Sequence, residues 1–355
     1  MQTILITGGA GFVGSNLALL LKEKYPSYNV ICMDNLKRRG SELNLLRFRQ
    51  AGVQFIHGDI RIKNDFLQIT GPVSCVIDAA AEPSVLAGLD GNTDYLIETN
   101  LNGTINALNF SLQNKANFIF LSTSRVYPIK TIESIHTIEN DTRFEIGPNQ
   151  VIAGVTPSGI SEQLPLSGSR SLYGATKLAS ELIVEEYNTM FGLNTVINRC
   201  GVLTGPYQMG KVDQGVIVLW MAKHFWKGKL SYVGYGGTGK QVRDILHVKD
   251  LFSLIDTQIH DSEKFIGEIY NVGGSRKVSV SLLELTKLCE EITGNKISIN
   301  SIPENRKADI KLYLSDCNKI HNLVQWEPSI STTEILVDIF TWIKENEHQL
   351  KPILS

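Results

Sequence analysis

The stretch Thr3-Ile4-Leu5-Ile6-Thr7-Gly8-Gly9-Ala10-Gly11-Phe12-Val13-Gly14 decides the fold. Met1–Thr7 reads as a strand, and Ser15–Lys24 has the apolar spacing of a helix, so a strand runs straight into a glycine loop and a helix. Gly8 permits the tight turn, Gly11 lets the backbone approach a pyrophosphate, and Gly14 lets the helix pack close to the strand. The free N–H groups and positive dipole end at the start of the helix favour phosphate. A glycine pattern alone is weak; the strand before it and the helix after it give it weight. Asp34 ends the next β run, Asn29–Met33, about 20 residues beyond the loop, where a carboxylate accepts hydrogen bonds from ribose hydroxyls. The pattern is that of a dinucleotide site. A carboxylate there repels a 2′-phosphate and favours NAD over NADP, although Lys37, Arg38 and Arg39 follow closely and weaken that preference.

Working outward, short apolar runs recur at Gln54–His57, Cys75–Ala79 and Phe118–Ser122, with a helical stretch over Thr99–Gln113. Alternation of strand and helix predicts an α/β, Rossmann-type, doubly wound parallel sheet covered on both faces. From Thr131 to Ser171 the pattern dissolves into Pro, Gly, Ser and Thr, which reads as a lid-like loop. A strong helix, Leu172–Phe191, and a strand, Thr195–Arg199, follow. Past Gly205-Pro206 the chain changes to an aromatic-rich helix, short strands and loops. The expected division is a dinucleotide-binding domain over residues 1–200, carrying the loop 131–171, and a smaller, partly interleaved C-terminal substrate-binding part over 201–355. A length of 355 residues suits two domains or one large one.

Composition narrows the function classes. Hydrophobic residues make up 43% and charged residues 20%, the balance of an ordinary globular protein. A net charge of -2 provides no global field to recruit nucleic acid or an anionic membrane. The most apolar stretch, Val216–Met221, is far short of the ~18–20 residues of a membrane span. Cys32, Cys75, Cys200, Cys289 and Cys317 are odd in number and form no C-x-x-C pair, so they read as reduced, buried side chains in a cytoplasmic protein. His57 and His224 have no metal-ligand company, and no metal is expected. Trp220 and Trp226 read as core or subunit surface.

Tyr173 and Lys177 stand at i and i+4 in Tyr-Gly-Ala-Thr-Lys, on one face at the start of a helix. A tyrosine with its reference pKa near ~10 is a poor base at neutral pH. An ammonium group alongside favours the phenolate, which can then take a proton from a hydroxyl while hydride leaves the same carbon. The spacing alone is a common accident. Ser122 and Thr123 follow the strand ending at Phe120, at the carboxyl end of the sheet, where a hydroxyl can reach a reacting oxygen or make a local turn bond.

Together these residues resemble the extended short-chain dehydrogenase/reductases of the NAD-dependent nucleotide-sugar epimerase/dehydratase type. The resemblance runs nearly the whole chain: the glycine loop, Asp34-Asn35-Leu36, His57-Gly58-Asp59-Ile60, Ala79-Ala80-Ala81 and Asn100-Leu101-Asn102-Gly103-Thr104, then Ser122-Thr123, the Tyr173–Lys177 motif, Arg243-Asp244 with His247-Val248 and Asp250, and Asn271-Val272-Gly273-Gly274. It implies a catalytic triad of Thr123, Tyr173 and Lys177. It implies NAD contacts from Gly8, Gly11, Phe12, Val13, Asp34 and Asn35, from Asp59 and Ile60 at the adenine, from Ala79, Ala80 and Ala81 along the groove, from Asn100 on the helix behind the site, and from Tyr173 and Lys177. It implies substrate contacts from Ser84, Thr123, Ser124 and Gln214, with Arg243 and Arg306 on the diphosphate and Asp309 on the nucleotide ribose. His247 reads as a structural neighbour of Arg243. A homodimer or homotetramer is implied as well.

Within the family the chain is most similar to the CDP-tyvelose (CDP-paratose) 2-epimerases, through Asp34-Asn35-Leu36 with Arg39-Gly40-Ser41, His57 to Arg61, Phe191 to Val196, Asp213-Gln214-Gly215 and Gly239 to Asp244. The implied reaction is an isomerisation: oxidation at C2 of a CDP-3,6-dideoxyhexose, turning of the keto sugar, and return of hydride to the other face. The chain departs from the family in three places. Val202 and Thr204 replace the usual polar residue and Tyr, and Ser124-Arg125 stand where 4,6-dehydratases carry Asp-Glu. The residues leave base, sugar and inverted carbon open. A UDP-sugar 4-epimerase would use the same triad, a nucleotide-sugar dehydrogenase or reductase would release NADH, and a non-catalytic dinucleotide sensor would have no need of both Tyr173 and Lys177. The stretch Phe144–Ser171, just before Tyr173, is the expected sugar-selecting segment.

Overall fold

The computed structural model describes residues 2–89, 91–211 and 214–355, so Met1 of the expected first strand and Asp213 of the subfamily motif lie outside the described residues. Strands β1 (Thr3–Thr7), β2 (Asn29–Asp34), β3 (Gln54–His57), β4 (Cys75–Asp78) and β5 (Asn117–Thr123) form the body of a seven-stranded sheet. Its order is Glu268–Val272, Thr195–Cys200, β5, β4, β1, β2, β3. The pairs β2–β3, β1–β2, β1–β4 and β4–β5 are all parallel. The chain winds outward from β1 to β3 and then returns to the other side of β1 at β4. That reversal is the point at which doubly wound sheets bind ligands, at their strand carboxyl ends.

The strands are continuous apolar runs because helices cover both faces. Ile4, Leu5, Ile6, Val30, Val76, Phe118 and Phe120 are completely buried. Leu5, Val76 and Phe118 pack in one core with Ala107 and Leu108 from the helix Gly103–Asn114 and Val184 from the helix Leu172–Phe191. The helix expected over Thr99–Gln113 is interrupted: Asp94–Ile97 and Gly103–Asn114 are joined through a π turn, Glu98–Asn102. Such bulges cluster at functional sites, and this one carries Asn100.

The chain divides into two compact units. The first is Met1–Val126, Leu172–Arg199 and Leu251–Tyr270; the second is Tyr127–Ser171, Cys200–Asp250 and Asn271–Ser355. The interleaving is therefore deeper than a boundary near residue 200 suggests. The segment 131–171 is also not the structureless lid its composition suggests. It belongs to the second unit and holds two small hairpins, Thr137–Glu139 with Phe144–Ile146 and Val155–Thr156 with Gly159–Ile160. The Ile160 N–H donates to Leu314 C=O at 2.7 Å, and the Asn271 N–H donates to Glu162 at 2.6 Å. Strands of two or three residues are too short to show a period of two, so the sequence pattern is blind to them.

Within the second unit, Val242–His247 pairs with Val202–Thr204, Ser279–Ser281 and Leu312–Tyr313. Trp220 is buried and donates its indole N–H to Thr286, a core role. All five cysteines are buried free thiols. Among the described residues no cluster suits a metal, and no helix is long and apolar enough to cross a membrane.

Candidate active site

In the first unit, β1 feeds the helix α1 (Phe12–Lys24) through the glycine loop. Gly8 has φ +60°, and a Cβ there would lie 2.7 Å from the Ala80 Cα. A Cβ on Gly14 would lie 2.4 Å from the Gly8 carbonyl oxygen. Only bare backbone lets the loop press against Ala79-Ala80 after β4 and lets α1 start so close to it. Gly11 is the N-cap of α1 and offers no side chain, so the first N–H groups of α1, beginning with Phe12 and Val13, are not capped by it. A pyrophosphate suits that helix start. The donor set and close approach fit a dinucleotide.

Asp34 closes β2 beside this loop. Its Oδ2 accepts the Ala10 N–H at 3.1 Å and its Oδ1 the Leu36 N–H at 2.7 Å. Burial pushes its carboxyl up, against the pull of those backbone bonds. With the Gly11 N–H also acting on it, the carboxylate keeps acceptor capacity for a ribose hydroxyl.

Asp59, expected at the adenine, is already engaged. Its Oδ1 accepts the Arg61 backbone N–H at 3.0 Å and Nε at 2.9 Å; its Oδ2 accepts Arg61 Nη2 at 2.7 Å and Asn35 Nδ2 at 2.9 Å. Burial alone would raise this carboxyl, but the Arg61 and Asn35 hydrogen bonds prevail and bring it to about 2. Four acceptor positions are filled by four donors. A direct carboxylate contact to adenine therefore requires exchanging one of them. Ile60, next to it, is buried.

Asn100, expected as a cofactor contact, is completely buried and works inside the protein. Its side chain accepts the Glu82 N–H at 2.8 Å and donates to the Glu82 carbonyl and to Thr176 Oγ1, each at 3.2 Å. Thr176 lies between Tyr173 and Lys177, and its hydroxyl donates to the Tyr173 carbonyl at 2.9 Å. Ser180 adds a hydrogen bond to the Asn100 carbonyl at 2.7 Å. The π turn thus holds both the loop after β4 and the first turns of the helix Leu172–Phe191. Ser84, in that loop, is buried and accepts the Leu86 N–H in a turn.

Tyr173 and Lys177 lie on that helix as the spacing predicted, with Tyr173 8% and Lys177 1% exposed. Lys177 Nζ lies 3.9 Å from the centre of the Phe120 ring, which belongs to β5. Thr123 is the last residue of β5, one residue beyond the expected run Phe118–Ser122 and three beyond Phe120. Its Oγ1 accepts the Arg125 N–H at 3.2 Å, which leaves the hydroxyl proton as the group's remaining donor. Ser124 is buried in the short turn that follows.

Two buried polar groupings escaped the sequence reading. Asp78, fully buried at the end of β4, accepts the hydroxyls of Thr7 at 2.6 Å and Thr104 at 2.8 Å. Glu181, one turn past Lys177, pairs with Arg199 at 2.8 Å and accepts the Ser122 hydroxyl. Neither has a short-range signature, because the partners are separated by up to 71 residues and met only after folding.

In the second unit, Arg243 Nη2 donates to Asp309 Oδ1 at 2.8 Å and to the Ile310 carbonyl at 2.6 Å. The Asp309 N–H donates to the Arg306 carbonyl, so all three expected diphosphate and ribose residues meet at one turn. Gln214 exchanges backbone hydrogen bonds with Lys211. Thr204 is fully buried, and its hydroxyl donates to Gln208 at 3.0 Å. His247 stands on the same strand as Arg243, and its Nε2 pairs with Asp338 at 3.0 Å. With Nδ1 accepting the Lys249 N–H, the ring proton sits on Nε2.

A profile of the NAD dependent epimerase/dehydratase family matches residues 4–273. The chain is 33% identical to a CDP-paratose 2-epimerase of Salmonella typhi, over 96% of this chain and 98% of that one. Among solved structures it is similar to the dTDP-glucose 4,6-dehydratase of Streptomyces venezuelae with NAD bound (TM-score 0.80, 26% identity, 100% of both chains). It is also similar to the UDP-glucose 4-epimerase of Thermotoga maritima with UDP-glucose (TM-score 0.76, 26% identity, 98% and 100% of the two chains). A profile match over most of the chain, a relative at one-third identity end to end, and a glycine loop built for backbone approach agree: the chain belongs to the NAD dependent epimerase/dehydratase family.

Proposed function

We propose that the protein is an NAD-dependent epimerase of a nucleotide-diphosphate sugar, acting at C2 of a CDP-3,6-dideoxyhexose. The observation that carries the subfamily is the end-to-end similarity to a CDP-paratose 2-epimerase. When bound, NAD supplies the acceptance and return of a hydride at the sugar carbon. Tyr173 takes the proton of the sugar hydroxyl at its phenolic oxygen and gives it back after the keto sugar has turned. The Lys177 ammonium favours the phenolate, and the Thr123 hydroxyl donates to the reacting oxygen. Arg243 and Arg306 make charge-assisted contacts to the diphosphate, and Asp309 contacts the nucleotide ribose.

The residues after Thr123 argue against dehydration. Loss of water from the sugar needs an acid and a base beside the triad, and this chain has Ser124 and Arg125 there. The test is incubation of the purified protein with CDP-, UDP- and GDP-hexoses, followed by NMR of the sugar. Inversion at C2 of a CDP-dideoxyhexose without net NADH is the expected result. Inversion at C4 of a UDP-sugar would keep the mechanism and replace the substrate; stoichiometric NADH would replace the reaction by a dehydrogenase.

A further inference from the structure

The basic residues after β2 raise a question that Asp34 alone does not answer: why they should not welcome a 2′-phosphate. Lys37 lies three residues past the end of β2, and its Nζ sits 2.8 Å from the centre of the Tyr95 ring. Arg61, four residues past the end of β3, lies over the same ring, with Cζ 4.7 Å from its centre. Tyr95 stands in the short helix Asp94–Ile97 that leads into the Asn100 π turn. Arg61 is also held by both oxygens of Asp59. Two cations at the carboxyl ends of β2 and β3 are thus drawn onto one aromatic ring, whose quadrupole holds them.

We propose that Tyr95 is a cofactor-selecting residue, which parks Lys37 on its ring and so denies a cation to the 2′-phosphate of NADP. The inference rests on the reading of this loop as the adenosine end of a dinucleotide site. Asp34 then meets a 2′-phosphate with its own negative charge and no Lys37 to offset it. Arg61 stays on Asp59 whether or not the ring is there, so of the two cations on the ring Lys37 is the one that Tyr95 alone restrains. Desolvation lowers the Lys37 ammonium pKa, although the residue itself stays exposed.

The test is equilibrium dialysis of the purified protein against equal NAD and NADP, with the bound nucleotides released and counted. Tyr95→Phe keeps the ring and should bind the two in the wild-type ratio. Tyr95→Leu should raise the bound NADP-to-NAD ratio by about fivefold or more. Adding Lys37→Met to Tyr95→Leu should return the ratio to that of the wild type. Lys37→Met alone, a change at an exposed side chain, should leave the ratio unchanged and serves if Tyr95→Leu does not fold. An unchanged ratio in folded Tyr95→Leu, or a fall in bound NADP with Lys37→Met alone, overturns the proposal. Wild-type protein that binds neither dinucleotide overturns the cofactor reading itself.

Discussion

A phenol buried one helical turn from an ammonium group is useful only if its proton moves. Tyr173→Phe keeps the ring and its packing and removes the only titrating atom. The variant should fold and keep NAD, while kcat falls by roughly 10²–10⁴-fold, the usual worth of a positioned general base. Wild-type turnover by this variant would remove Tyr173 from the mechanism. Asp244 is fully buried, accepts the Ser315 N–H at 3.1 Å, and is pushed by burial up to about 6. Its native pKa therefore exceeds the ~3.9 of an unfolded aspartate. The folded state holds this proton more tightly, so the group's contribution to stability is whole below about pH 4 and is lost as pH rises to about 6, some 2–3 kcal/mol in all. Asp244→Asn cannot titrate. Its melting temperature should gain on the wild type between pH 4 and 6.5, and parallel profiles would refute the sign. At this scale the sequence placed residues correctly where they sit in a short contiguous motif: the glycine loop after β1, Asp34 at the end of β2, Tyr173 with Lys177 on one helix. It was not legible where a residue's role depends on a partner: nothing near Asp59 in the sequence says that Arg61 and Asn35 fill its carboxylate, and nothing near Asn100 points to Glu82 and Thr176.

Elements bring such partners together, and the Glu181–Arg199 pair shows how. It joins the helix Leu172–Phe191 to the strand Thr195–Cys200, and the Ser122 hydroxyl ties in β5 immediately before Thr123. Both side chains are almost wholly buried, 4% and 1% exposed. Removing one partner strands the other charge away from water, which costs more than the pair itself contributes. Glu181→Leu alone should lower stability by about 3–5 kcal/mol, and Glu181→Leu with Arg199→Met should recover most of that loss in urea unfolding. Equal losses in the single and double variants would mean that the two residues are not coupled. The long elements on either side of this pair were readable from periodicity, and the helix Leu172–Phe191 was placed to the residue. The π turn at Glu98–Asn102 and the hairpins of 131–171 were not. A single wide turn leaves the apolar stripe of a helix nearly intact, and two-residue strands carry no period.

At the scale of the whole molecule, the two compact units hold different parts of the proposed chemistry. The glycine loop, Asp34, Asn100 and the triad lie in the first, and Arg243, Arg306 and Asp309 lie in the second. The fold class was legible because strand–helix alternation is a property of the whole first half of the chain. The division was not, because the chain leaves the first unit at Tyr127, returns at Leu172, and returns again at Leu251. A ligand that binds only the native state slows local opening where it binds, by an amount that grows with its saturation. Amide hydrogen exchange can therefore assign each half of the chemistry separately. NAD should protect residues 8–15, 34–36 and the turn after β3, all in the first unit. CDP, offered alone as the nucleotide half of the proposed substrate, should protect residues 241–247 and 305–311 around the Arg243–Asp309 pair. UDP giving the stronger protection of that turn would move the substrate towards a UDP-sugar while leaving the arginine assignment standing. Protection by CDP confined to the first unit would instead take Arg243, Arg306 and Asp309 out of substrate binding, because an arginine that grips a diphosphate cannot leave its own turn as open as before.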